Sequence, residues 1–215
     1  YGFHGLSHAY CAERVADMLG RRQLRLVSCH LGAGASLAAV VDGRCVDTTM
    51  GFTPLDGLIM ATRSGSVDPG LVLWLAEHEH LRPHEIAEAL EHRSGLLALA
   101  DTADMAQVVA RAGSGDPDAR LALDAYVHRL ATSIGAMAAA GGGIDALAFT
   151  GGVGEHSAQI RSATVERLGH LGAHIDAERN RTASPDADIT GDPATATVRI
   201  LVIAAREDLR IARET

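Results

Sequence analysis

Residues 26–43 (LVSCHLGAGASLAAVVDG) carry small and β-branched apolar residues on both sides of a break at Gly32 and Gly34. That pattern predicts two strands joined by a tight glycine turn and argues against a helix. Residues 44–49 add a third short strand, so a β-meander is expected at a sheet edge. Upstream, Tyr10, Val15, Met18 and Leu19 form an apolar stripe ending at Gly20, with Ser7 as the expected N-cap of a helix. Residues 50–69 lack periodicity and are rich in turn formers, the signature of a functional loop. Asp68 and Pro69 then open a helix expected over 70–80, with Leu71, Trp74 and Leu75 facing a core. Further helices are expected over 84–92, 104–112 and 118–140, stopped by Ser94-Gly95, by residues 113–117 and by the glycines at 141–143. Residues 144–155 return to a strand and a glycine turn before a helix over 156–168. A last strand over 198–203 precedes a helix opened by Glu207 and running to 211.

Composition narrows the function. The 215 residues are 47% apolar, enough for a packed core. A net charge of −8 argues against a nucleic-acid surface, which needs clustered positive charge. All 19 basic residues are Arg, so a P-loop lysine, a Schiff-base lysine and a kinase strand lysine are all excluded. Phosphate chemistry here must use Arg, backbone amides and a metal. Cys11, Cys29 and Cys45 lie in or beside apolar runs, as expected of reduced thiols in a cytoplasmic protein. No signal peptide and no apolar run of membrane-spanning length is seen.

Three stretches carry candidate chemistry. The turn His30-Leu31-Gly32-Ala33-Gly34, with Ser36 just past it, is either a plain hairpin or a loop that holds a phosphate on backbone amides. Arg63, among small polar residues with no acid nearer in sequence than Asp68, is either an ordinary surface ion-pair residue or a guanidinium able to neutralise a transferring phosphoryl group. The run IDALAFTGGVGE at 144–155 places glycines where a strand gives way to a helix, the place where a nucleotide lies over a strand end. His4 and His8 read singly as structural histidines, and Glu207 either complements a helix dipole or holds Mg²⁺. His78, His80, His84 and His92 invite a metal reading, but Pro83 interrupts them and no HExxH occurs, so solvated histidines are expected.

Taken together and in order, YGFHGLSH, CHLGAGASLAAVVDG, MGFTPLDGLIMATRSGSVDPG, SGLL, FTGGVGEHSAQIR and EDLRIARET resemble motifs of the acetate kinase family. The resemblance implies an α/β fold of the actin, sugar-kinase and chaperone-ATPase type (ribonuclease H-like), a βββαβαβα domain with a helical insertion at about 70–143. It implies Mg²⁺-dependent phosphoryl transfer between ATP and acetate, with Mn²⁺ as an alternative metal, ADP and acetyl phosphate as products, and propionate kinase as the close variant. By motif, His4 and Arg63 correspond to the pair that stabilises the transition state, and residues 30–34 to the phosphate-contacting loop. Asp104, Met105 and Ala106 stand at the adenine contact, Gly151, Gly152, Gly154, Glu155 and His156 in the adenosine strip, and Glu207 at the magnesium site. A homodimer in the full-length protein is also implied.

The chain departs from the family's pattern at several positions. Leu6 replaces a Thr, Ala33 an Asn in the phosphate turn, and Ala106 the arginine of an Asp-Phe-Arg or Asp-Met-Arg contact. The family's amino-terminal motifs are not found and the chain begins at Tyr1, so residues 1–215 are expected to be the carboxy-terminal, nucleotide-binding half. Such a half is expected to bind nucleotide weakly and turn over poorly unless the other half is supplied. The competing expectation is a non-catalytic remnant that folds, binds nucleotide or dimerises without doing chemistry.

Overall fold

The computed structural model describes residues 2–192 and 194–208. Helix α1 (Gly5–Leu19) leads into the antiparallel strands β1 (Arg25–Leu31), β2 (Ala35–Val41) and β3 (Arg44–Thr48), the expected meander. Helices α2 (Pro69–His78), α3 (Pro83–His92), α4 (Gly95–Ala100) and α5 (Met105–Gly113) follow, then the long α6 (Pro117–Ala140). Strand β4 (Ala146–Thr150) precedes α7 (Gly151–His156), α8 (Ala158–Glu166) and α9 (Ala177–Thr182). Strands β5 (Ala187–Asp188) and β6 (Arg199–Val202) complete a sheet of order β3-β2-β1-β4-β6-β5. Apart from α4, α9 and the short edge strand β5, the elements follow the expected order through β6. The helix expected from Glu207 to 211 lies outside the described residues beyond Asp208.

Strand β4 explains the layering. It is parallel to both β1 and β6, and all five of its residues are buried. A parallel strand covered on both faces reads as a continuous apolar run, as ALAFT does. Leu147 and Phe149 point into the large core that α6 covers, whereas Ala146 and Ala148 meet Cys11 and Val15 of α1. Burying a side chain the size of Leu147 or Phe149 contributes roughly 1.5–3 kcal/mol. In the parallel register Leu26 pairs with Ala146 and His30 with Thr150, so β1 and β4 end at one level. The turn at 32–34 and the start of α7 therefore sit side by side at the carboxyl edge of the sheet, where ligands of open α/β sheets bind.

Three expectations are corrected. The N-cap of α1 is His4, in the left-handed conformation with φ 56°, and Ser7 lies one turn inside, where its hydroxyl serves His30 instead. Residues 151–154 form no separate turn: α7 begins directly at Gly151, whose φ of 78° leads the chain straight from strand into helix. Finally, α2 faces no core. None of its residues is buried, and Leu71 (45%), Leu73 (65%) and Trp74 (47%) stand exposed. Helical spacing marks an apolar face but not what covers it, and α2 packs mainly on α3, which itself buries only Ile86.

Candidate active site

The phosphate end is built where three side chains reach the glycine turn. A Cβ placed on Gly34 would lie 3.3 Å from Arg63 Nη1 and 3.5 Å from His4 Nε2, and one on Gly32 would lie 3.6 Å from His30 Nε2. The glycines thus leave open the space on which these nitrogens converge. Arg63 is carried by the irregular loop, which is tied down on several sides. Ala61 N donates to Ala33 O of the turn itself (3.1 Å), Ser94 N to Thr62 O (2.9 Å) and Leu96 N to Met60 O (3.0 Å). Gly95, with φ 62°, packs so closely that a Cβ would come within 2.7 Å of Arg63 O, which accounts for the glycine of SGLL. Arg63 Nη1 donates to Pro54 O at 3.2 Å. Its hydrogens go to Pro54 O and Met60 Sδ, and the guanidinium is held with Nη1 beside the turn.

Behind the turn lies a buried polar layer. His4 Nδ1 meets Ser36 Oγ at 2.9 Å, and the same hydroxyl meets His8 Nε2 at 2.8 Å. His8 Nδ1 meets Ser28 Oγ at 2.9 Å, while His30 Nδ1 meets Ser7 Oγ at 2.7 Å. The rings of His4 and His30 stack with centroids 4.3 Å apart. Burial disfavours the charged imidazolium: it pushes His8 down to about 3 and His30 to about 4. His4 is lowered as well, by burial first, against the opposing charge of Glu207 and with the help of Arg63. All three rings are neutral near pH 7.

The base end is a cleft of about 610 Å³ between the turn, α5, α6 and α7, lined by Ala33, Asp104, Ala106, Tyr126, Gly152 and His156 among others. Residues from 30–34, 104–106 and 151–156 are thus brought to one place. Not all of them face the opening. Leu31 is a core residue, and Met105 is buried in the same core with an edge on the cleft. Asp104 caps α5, its Oδ1 accepting from Ala106 N at 2.9 Å. Gly151 lies against Leu31, where a Cβ would come within 2.9 Å of the carbonyl oxygen, and Gly154 packs on Phe149. Glu155 turns away from the cleft: its Oε1 accepts from Gly151 N (3.1 Å) and Ala205 N (2.9 Å), pinning the segment that presents Glu207. Glu207 itself is exposed and shares a shallow cavity with His4 and Leu6.

Sequence reasoning gave no role to Arg161, although it is the last residue of FTGGVGEHSAQIR. It is 2% exposed and donates to the carbonyls of Gly154 and Glu155 (2.8 Å each) and to Asn180 Oδ1 (2.7 Å). It therefore satisfies the orphan carbonyls that end α7 and holds the strip in place. Ser28 was equally hidden, and Ser36, singled out as a hydroxyl past the phosphate turn, meets His4 and His8 instead, because the register His30↔Ser36 sets it beside them. Among the described residues no group of three or more His, Cys, Asp and Glu is arranged to hold a metal, and the four histidines at 78–92 form no such cluster. Glu207 alone fits a different kind of site, since Mg²⁺ keeps several waters and takes one or two carboxylates beside nucleotide phosphates.

Comparison with known proteins agrees with this geometry. The Acetokinase family profile matches residues 1–213. The chain is 50% identical to an acetate kinase of Gloeobacter violaceus and 49% identical to one of Nostoc punctiforme, covering 100% and 99% of this chain and 53% of each relative. It thus spans about half the length of the relatives it matches. Among solved structures, Porphyromonas gingivalis acetate kinase superposes with a TM-score of 0.95 at 36% identity, and a propionate kinase from Francisella tularensis with 0.94 at 40%. Each covers 100% of this chain, which covers 54% and 55% of theirs. A profile match over nearly every residue, joined to this sheet and this cleft, places the chain in the acetokinase family.

Proposed function

We propose that this chain is the carboxy-terminal, nucleotide-binding half of an acetate kinase that transfers a phosphoryl group between ATP and acetate, with propionate as the close alternative acceptor. The observation that carries the proposal is the convergence of His4 Nε2 and Arg63 Nη1 on the Gly34 turn, at the phosphate end of a nucleotide-sized cleft. In the reaction an acetate oxygen attacks the γ-phosphorus in line, the bond to the bridging oxygen of ADP breaks, and that oxygen leaves with the electron pair. The acetate carboxylate is already a competent nucleophile at neutral pH, so no general base is required. The protein's work is alignment and charge neutralisation. Arg63 supplies a fixed positive charge, His4 a donor to the phosphoryl oxygens, and the amides of the 32–34 turn an anion cradle. Gly152, Ala106 and His156 border the adenosine site. Glu207 is the carboxylate that would hold Mg²⁺ or Mn²⁺, and the metal would supply positive charge against the phosphates.

The acyl pocket is proposed to be completed by the part of the relatives that this chain does not span, because catalysis in such folds takes place in a cleft between two domains. A cytoplasmic homodimer is the proposed state of the whole protein, and the exposed Leu71, Leu73 and Trp74 on α2 supply apolar surface for it to bury. No helix among the described residues is long and apolar enough to cross a membrane. The deciding experiment co-expresses this chain with the amino-terminal half of a close relative and assays ATP-dependent formation of acetyl phosphate and propionyl phosphate. Transfer that is lost with Arg63→Ala is expected. Wild-type assemblies that bind Mg·ATP yet transfer to neither acid would leave the non-catalytic reading.

A further inference from the structure

Behind His4 the hydroxyls and imidazoles make one unbroken chain, from Ser28 Oγ through both nitrogens of His8 to Ser36 Oγ and on to His4 Nδ1, with every link at 2.8 or 2.9 Å. Ser28 and Ser36 are 0% exposed and His8 5%. A neutral imidazole has one donor and one acceptor nitrogen, and a hydroxyl has a single proton to give. Ser36 touches two ring nitrogens and can donate to only one of them. If both rings donate to it, His4 is left with a lone pair at Nε2. Otherwise two polarities run unbroken along the chain. In one, Ser28 donates to His8 Nδ1, His8 Nε2–H donates to Ser36, Ser36 donates to His4 Nδ1, and His4 keeps its proton on Nε2. In the other every proton is reversed, and His4 shows a lone pair at Nε2.

The surroundings choose between them. His4 Nε2 lies at the Gly34 turn, where the phosphoryl oxygens of the proposed reaction would be anionic. A lone pair facing anions is repelled, whereas an N–H is attracted. Arg63 Nη1 gives no help to the reversed chain, because its hydrogens are directed to Pro54 O and Met60 Sδ.

We infer that Ser36, backed by His8 and Ser28, is a positioning residue that holds His4 in the Nε2–H tautomer, so that the neutral ring meets the phosphoryl group as a hydrogen-bond donor. The inference rests on the role proposed above for His4, but it assigns new work to three residues that touch no substrate. His8 and Ser28 act only through Ser36. Reversal of the chain would cost the donor without moving a heavy atom.

The test is the imidazole ¹⁵N spectrum of the labelled chain near neutral pH, with the His4 signals assigned by their loss in His4→Gln. A pyrrole-like Nε2 and a pyridine-like Nδ1 are expected for His4 in the unmodified chain and in Ser36→Thr, which keeps the hydroxyl. In Ser36→Ala the two signals are expected to move toward an exchange average. Should that variant not fold, Ser28→Ala cuts the chain at its far end with the same expectation. An Nδ1–H tautomer in the unmodified chain, or a His4 pattern unmoved by Ser36→Ala, overturns the inference. The tautomer is read without turnover, so an assembly that fails to transfer phosphoryl groups while keeping Nε2–H would overturn the proposed function and not the relay.

Discussion

The two ends of the nucleotide cleft are built on opposite principles. At the phosphate end Arg63, His4 and His30 converge on a glycine turn, and the two histidines are backed by buried hydroxyls. At the base end small residues, Ala33, Ala106 and Gly152, border an open space, and the polar groups nearby are mostly spent on local structure, as when Asp104 caps α5. Preorganised charge at one end suits stabilisation of a developing transition state, which is where such groups gain most. A roomy and mainly apolar base end suits retention of a nucleotide by contact and stacking, with few directed bonds. On the function proposed, chemistry and holding are separable in this chain, and substitutions at the two ends should affect different measurements.

The largest expected effect is at the phosphate end. Arg63→Ala in the assembled two-half enzyme should lower the transfer rate by ~10³-fold or more, the usual scale for a lost arginine at a transferring phosphoryl group. A loss confined to nucleotide KM, with kcat intact, would place Arg63 among the holding residues and erase the contrast. Next in size is the joint between the two ends. Gly151→Ala forces a side chain to φ 78° against the Leu31 carbonyl, and should cost about 3 kcal/mol of stability, read as a lower denaturant midpoint.

The buried histidines predict a pH dependence of a definite sign. His8 has an ordinary value of 6.5 and is held near 3 in the fold. The unfolded chain therefore binds the proton that the folded chain refuses, and stability is complete above about 6.5 and falls as the pH drops toward 3. By pH 5 the loss from this group should be about 2 kcal/mol. Urea unfolding at pH 7.5 and 5 checks it, and the slope should flatten in His8→Gln. The smallest effect is expected at the base end. Ala106→Arg restores the side chain that the family's motif carries there and should tighten Mg·ADP binding roughly tenfold, through stacking of guanidinium on the base. An unchanged affinity would mean that the cleft holds its base by some other contact.

Much of this was written in local sequence. The hairpin of residues 26–43 was legible because glycines punctuate two β-branched runs, and Asp68-Pro69 announced α2 because that pair caps a helix and sets its first φ. His4 caps α1 and His8 stands one turn inside it, its N–H donating to His4 O at 3.0 Å. What they would meet was not legible, since Ser28 and Ser36 reach them only through the antiparallel register of β1 and β2. Helix α4 escaped notice because six residues hold too few turns for a period to emerge. The exposed face of α2 shows the same limit from the other side, for its apolar spacing was read correctly while its partner is not among the neighbouring elements. Glu155 sits in a glycine strip that points to nucleotide, yet its carboxylate looks inward because Gly151 N and Ala205 N lie there.

The separation of the two ends is tested most directly by calorimetric titration of the purified chain with Mg·ADP, unmodified and as Arg63→Ala. Both proteins are expected to bind, with dissociation constants within about threefold of one another, as befits a charge aimed at the transferring group and outside the nucleotide's ground-state grip. Binding that disappears with Arg63, or that is absent from the unmodified chain, would contradict that separation.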